Sequence, residues 1–162
     1  MVGLAAGVLA PLGYPRAARA ASLRSELETS PFVYVSPLRS DGSESRCHAE
    51  VWYAWIDGAV VMTVASDRWK ATAISRGLDK ARIWVGDYGR WKGWISHNER
   101  FRQGPSFLAT GEQVRDPALF EQLMAAYEVR YPEEIGQWRG RMRQGQQDGS
   151  RIVLRYRPVN AL

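Results

Sequence analysis

Two Asp-Gly dipeptides, Asp41-Gly42 and Asp57-Gly58, interrupt runs of β-branched and aromatic residues, and they constrain this chain more than any other feature. Asp-Gly accepts the positive φ angles of a tight type I′ turn, so between two such runs it reads as a β-hairpin. The runs are Phe32–Leu38, then Arg46–Ile56 with Val51-Trp52-Tyr53-Ala54-Trp55-Ile56 at its end, then Ala59–Val64. Strands joined in this way make an antiparallel meander. Ala81–Val85, Ser106–Val114 and Ile152–Tyr156 are further β-rich runs, so six strands are expected. Antiparallel strands in that number remove their exposed edges by closing into a small barrel.

Between the strands the hydrophobic period changes. Ser66 is placed to cap a helix from Asp67 to Arg76, with Trp69, Ala73 and Ile74 on one face and Gly77 as its stop. Asp116-Pro117 reads as cap and first-turn proline of a helix over Ala118–Arg130, whose apolar stripe is Leu119, Phe120, Leu123, Met124 and Tyr127. Glu133–Arg143 continues as a basic helix carrying Trp138, and Gly145–Gly149 reads as a flexible turn. Ser22 opens a short helix, Leu23–Glu28. The expected class is mainly β with added α: a six-stranded antiparallel barrel, a short helix after the third strand, and helices before the last.

At 162 residues, one domain is expected, covering 22–162. Residues 1–21 stand apart. Val2–Leu12 is an apolar run of eleven residues, too short to span a bilayer, which takes about 20. Ala18-Arg19-Ala20 resembles a small-residue cleavage site, but no basic residue precedes the run. The segment is thus a signal peptide or a disordered extension, and both a cytoplasmic and an exported location stay open. With one cysteine, Cys47, no internal disulfide forms, and His48, His97 and Cys47 are too few to suggest a metal site. The net charge of +5 suits an anionic ligand without calling for nucleic acid.

Dinucleotide-binding, phosphate-loop, zinc-protease and hydrolase-elbow motifs are all missing from the sequence. Neither His48 nor His97 sits in a nucleophile setting, so no catalytic residue is assigned, and a bound cofactor would have to supply any redox chemistry. The remaining constellation is basic. Arg46 lies near the start of the second strand; Thr63, Ser66, Arg68, Trp69 and Lys70 lie where the third strand hands over to the helix. Hydroxyls, basic side chains and free helix N–H groups together suit a monophosphate. The alternative is that Arg68 and Lys70 are ordinary exposed helix residues.

These residues resemble a known family. Phe32–Leu38, Asp41-Gly42, Ser45-Arg46, Val51-Trp52-Tyr53, Asp57-Gly58, Val61-Met62-Thr63, Trp69-Lys70, Ala81–Val85 and Ala109-Thr110-Gly111-Glu112 follow one another as in the pyridoxamine 5′-phosphate oxidase-like flavin split barrels, over Ser30–Val114. The resemblance implies a split barrel, a homodimer, and FMN or a deazaflavin in a groove between the subunits. It implies that Arg46, Thr63 and Lys70, with Arg68 beside them, hold the cofactor phosphate, while Val51 and Trp52 border the ring. Two departures stand out. Trp69 occupies a position where these oxidases often place a second basic residue, and no histidine follows His97 to complete the substrate-binding Arg-x-His element of the true pyridoxamine-phosphate oxidases.

The segment 87–103 sets Tyr88, Trp91, Trp94 and Phe101 among Arg90, Lys92, Arg100 and Arg102. It is suited equally to covering a ligand by cation–π contact and to packing within the protein. The leading expectation is an FMN-dependent oxidoreductase moving hydride or electrons to or from a small molecule. A deazaflavin-dependent reductase, a cofactor carrier without turnover, and a small barrel binding single-stranded nucleic acid are the alternatives.

Overall fold

The computed structural model describes residues 16–89 and 99–162. One antiparallel sheet contains β1 (Val33–Pro37), β2 (Ala49–Val51), β3 (Ala54–Ile56), β4 (Ala59–Ala65), β5 (Lys80–Val85), β6 (Ser106–Val114) and β7 (Arg151–Pro158). Around it lie the helices α1 (Arg16–Thr29), α2 (Trp69–Ser75), α3 (Pro117–Arg130) and α4 (Ile135–Asp148), and a 3-10 turn at Arg100–Gln103. Strand order is β2-β1-β5-β6-β7-β4-β3.

Seven strands stand where six were expected, because the run Arg46–Ile56 contains two strands. It breaks at Trp52-Tyr53, where the backbone polar groups pair with tyrosine hydroxyls of the α3 region in place of a neighbouring strand. The Trp52 carbonyl accepts from the Tyr127 hydroxyl at 2.8 Å, and the Tyr53 N–H donates to the Tyr131 hydroxyl at 3.0 Å. β2 and β3 are the two edges of the sheet. Because only two residues separate them, the edges are tethered within about 10 Å, and the sheet has to curl until they approach.

Alternation along the strands sorts the side chains into two cores. The inside of the curl holds Val33 and Val35, Val60, Met62 and Val64, Ile83 and Val85, and Leu154 and Tyr156, with Leu23 and Leu27 of α1 closing it. On the outer face of β3, β4 and β7, Val61 and Val153 pack under Leu119, Phe120, Leu123, Met124 and Tyr127 of α3 and Met142 of α4. The stripe read on α3 is therefore the one it buries, and Asp116 caps that helix through the Ala118 N–H at 2.9 Å.

The helix expected over Leu23–Glu28 is the end of a longer one that starts at Arg16 and runs through Ala18-Arg19-Ala20. Its last carbonyls are held by Arg130, which donates to Glu28 O at 3.1 Å, to Leu27 O at 3.0 Å and to Ser30 O. The helix expected over Asp67–Arg76 is shorter, Trp69–Ser75, with Arg68 at its N-cap. The Ser66 hydroxyl does not cap it, because it donates to the Ser150 carbonyl at 3.2 Å. α4 runs on to Asp148, so Gly145 is helical, and the chain turns only at Gly149, in the left-handed region at φ 77°. The Asp57-Gly58 turn is the tight type expected, with φ 49° and 72°. Among the described residues no helix is long and apolar enough to cross a membrane.

Candidate functional site

Outward alternation on two neighbouring strands builds the site. β4 sends Val60, Met62 and Val64 inward and Thr63 outward, and β7 sends Ile152 and Leu154 inward and Arg151 outward. The ladder pairs Thr63 with Val153 and Ala65 with Arg151, so the two outward side chains meet diagonally. Arg151 donates from Nη2 to the Thr63 carbonyl at 3.1 Å and from Nε to the Thr63 hydroxyl at 3.4 Å. Its aliphatic stem lies on α4 at Gly145, where a methyl group would come within 2.5 Å of Arg151 Cγ.

Thr63 and Arg151 border a cavity of about 290 Å3. Its other walls are Glu50, Val51 and Trp52 at the strand break, and Tyr127, Trp138 and Met142 from the two long helices. The aromatic wall is braced from behind: Trp52 stacks on Tyr131 at 4.3 Å between centroids and 9° between planes, and meets Tyr127 edge-on at 5.9 Å. Burial pushes the Tyr127 and Tyr131 phenols up, Tyr131 to about 12, so both stay neutral donors.

Two opposite charges line this cavity without neutralising each other. Arg151 forms no ion pair with any described carboxylate, and its partners are the two oxygens of Thr63. Burial lowers its pKa, yet a guanidinium remains a cation at any working pH. Glu50 is held from behind by Tyr34, whose hydroxyl donates to Oε2 at 2.5 Å and accepts from the Tyr88 N–H at 3.0 Å. Burial first, and the Glu50 hydrogen bond second, raise the Tyr34 phenol. Tyr34 is fully buried, and its ring stacks on Phe101 at 4.8 Å.

Of the residues singled out in the sequence, Val51, Trp52 and Thr63 line this one cavity. Arg46, Arg68, Trp69 and Lys70 are not among its lining residues. Arg46 is exposed in the loop between β1 and β2. Arg68 is exposed beside Asp67, 3.7 Å away. Trp69 lies under the Arg76 guanidinium at 5.8 Å, and Lys70 is buried, 4% exposed. Arg151 and Glu50 escaped the sequence reading. The strand read from Ile152 began one residue too late for Arg151, although a basic residue just after Gly149-Ser150 and alternating with Ile152 and Leu154 was the available signal. Glu50 stood as a lone acid ahead of an apolar run.

His48 is a satisfied structural histidine in this fold. Its Nδ1 lies 2.8 Å from the Ser36 hydroxyl and its Nε2 lies 3.2 Å from Arg102 Nη2. In the aromatic and basic segment, Phe101 is buried on Tyr34, so for that residue the packing reading holds. Trp91, Trp94 and His97 lie outside the described residues. No group of three or more metal-ligating side chains occurs among the described residues.

Neither a search of protein-family models nor one of curated proteins finds a match to this chain. Solved structures do match. A conserved hypothetical protein of Mycobacterium tuberculosis aligns at 18% identity over 86% of this chain and 80% of its own, with a TM-score of 0.59. HutZ, the heme storage protein of Vibrio cholerae, aligns at 12% identity over 86% of this chain and 89% of its own, with a TM-score of 0.58. A Listeria innocua protein provisionally called a pyridoxamine 5′-phosphate oxidase aligns at 10% identity over 87% of this chain and 94% of its own, with a TM-score of 0.54. The likeness at these identities is one of fold, and the fold is the split barrel that the succession from Ser30 to Val114 resembled.

Proposed function

We propose that this chain, folded as the pyridoxamine 5′-phosphate oxidase-like split barrels are, binds FMN and uses it to move hydride or electrons to or from a small molecule. The carrying observation is that Val51, Trp52 and Thr63, named from the sequence for this role, line one cavity with a guanidinium that has no carboxylate partner among the described residues. Thr63 and Arg151 would hold the phosphate by charge-assisted hydrogen bonds, while Val51, Trp52 and Tyr127 would border the flavin ring. The isoalloxazine supplies the redox chemistry, and this chain supplies binding, orientation and exclusion of water.

A cavity of about 290 Å3 lies at the lower edge of ligand-sized pockets, so this chain alone would cover only part of a flavin. A second copy is proposed to complete the groove, with the exposed Arg46 and Arg68 as its further cations, whereas Lys70 is buried within its own chain. The test is spectroscopy and mass spectrometry of the purified protein, followed by FMN titration of the apo form. Yellow protein that releases FMN on denaturation, and an Arg151→Met variant with about 10-fold or more weaker FMN binding, support the proposal. Colourless protein that neither releases nor takes up FMN refutes it. A haem spectrum would move the function toward that named for the Vibrio cholerae neighbour.

A further inference from the structure

A carboxylate and a guanidinium that line the same small cavity usually pair, and here they do not. Each is held instead by a neutral partner, Arg151 by Thr63 and Glu50 by the Tyr34 phenol. Tyr34 is fixed in turn by the Tyr88 N–H and by the face of Phe101, so the Glu50 carboxylate is oriented from behind by a fully buried group. One carboxylate oxygen is occupied by Tyr34, and Oε1 makes no hydrogen bond among the described residues. Glu50 is the one carboxylate among the cavity's lining residues.

We infer that Glu50 reads an N–H of the bound ligand while Arg151 takes its anionic group, so that the part of the ligand this cavity covers has to present both an anion and an N–H donor. An ionised carboxylate only accepts hydrogen bonds, so it rewards a donor and repels a carbonyl or a second anion. A hydrogen bond to a charged acceptor is worth about 1.5–3 kcal/mol, or about 10- to 100-fold in affinity. Tyr34 is a positioning residue. By donating to Oε2 it orients the Glu50 carboxylate and leaves Oε1 for the ligand. Glu50 is bonded by Tyr34 of β1 and shares the cavity lining with Tyr127 of α3 and Arg151 of β7, none of which brings a second carboxylate.

The inference rests on the flavin proposal, and its test separates the two. FMN and an FMN methylated at the imide nitrogen, which lacks the N–H, are titrated into the parent protein, Glu50→Leu and Tyr34→Phe. The parent is expected to prefer FMN by about 10-fold or more, and Glu50→Leu to bind the two flavins within about 3-fold of each other. Circular dichroism checks that the variants fold. Tyr34→Phe keeps the ring and its stack on Phe101 but removes the donor that orients Oε2, so it is expected to bind the methylated flavin as the parent does and to lose about 3-fold or more of the preference for FMN. A parent that binds both flavins alike, a preference that survives Glu50→Leu, or a Tyr34→Phe variant that keeps the parent's full preference overturns the inference and leaves the flavin proposal standing. A parent that binds neither flavin overturns both.

Discussion

Replacing Tyr131 by Phe removes one oxygen atom and tests why the second strand breaks. The Tyr131 hydroxyl accepts from the Tyr53 N–H at 3.0 Å and lies within donor reach of the Pro31 carbonyl at 2.8 Å and the Tyr53 carbonyl at 3.2 Å. Tyr131 is 4% exposed, so water cannot replace it without opening the α3–β3 contact. The ring, its stack on Trp52 and its apolar contacts survive the substitution. The loss is one buried N–H left without a partner, at about 1–3 kcal/mol, and one hydroxyl donor, at about 1 kcal/mol net. The expected destabilisation is therefore about 2–4 kcal/mol. Urea titration followed by circular dichroism measures it, with the m-value unchanged if only native contacts are lost. A change below about 0.5 kcal/mol would mean that the Tyr53 N–H is satisfied otherwise and that the phenol does not hold the break open.

Arg130→Met keeps an apolar stem but removes the charged donor from the carbonyls at the end of α1, leaving Leu27 O its bond from the Tyr53 hydroxyl at 2.7 Å, and should cost about 1–3 kcal/mol in the same titration, with the loss largest in amide-exchange protection of α1. Tyr53, Tyr127, Tyr131 and Tyr156 all have pKa values raised, first by burial. Since the folded values lie above the unfolded value of about 10, their contribution is fully present below pH ~10 and is lost as pH rises through the folded values. The ultraviolet absorbance of these tyrosinates should accordingly appear together with loss of the circular dichroism signal, and early ionisation in an intact fold would contradict their burial. Gly145→Ala should push on the Arg151 stem and weaken FMN binding in isothermal titration, and the clash, at about 1–3 kcal/mol, should cancel or exceed the roughly 1 kcal/mol by which alanine favours a helix, so the urea midpoint should not rise.

Local chemistry made much of this fold legible. Asp57-Gly58 carries its own conformational reason, Asp116-Pro117 its own cap, and Leu119 to Tyr127 their own period, so these features were readable without knowing what they pack against. The break at Trp52-Tyr53 was not readable, because nothing in an unbroken β-branched and aromatic run announces that two phenols some 75 residues further on replace a strand partner. The helix after β4 was read too long for a related reason. Ser66 looks like a cap until Ser150, brought alongside by the β4–β7 ladder, takes its hydroxyl. In the site, Thr63, Val51 and Trp52 followed from the family-like succession. Arg151 and Glu50 depend on which face of β7 and β2 is outward, and that is set by the curl.

The strand break and the cavity have one origin. Tyr127 donates to the Trp52 carbonyl and presents its ring to the cavity, while Tyr131 holds Tyr53 and stacks beneath Trp52. The groups that keep β2 and β3 from joining are thus the groups that shape the aromatic wall, so stability and binding cannot be separated there. Tyr127→Phe makes the case. It retains the lining ring and deletes the hydrogen bond to a half-buried carbonyl, at about 1–2 kcal/mol. Freed of that bond, Trp52 has less reason to stay stacked, and FMN affinity should fall with stability even though no lining carbon is lost. Saturating FMN, worth about 2.7 kcal/mol by mass action at 100 times Kd, should then more than offset the loss of about 1–2 kcal/mol. If Tyr127→Phe lowers stability by that amount yet binds FMN as tightly as the parent, the wall is set elsewhere and the common origin argued for break and cavity is wrong.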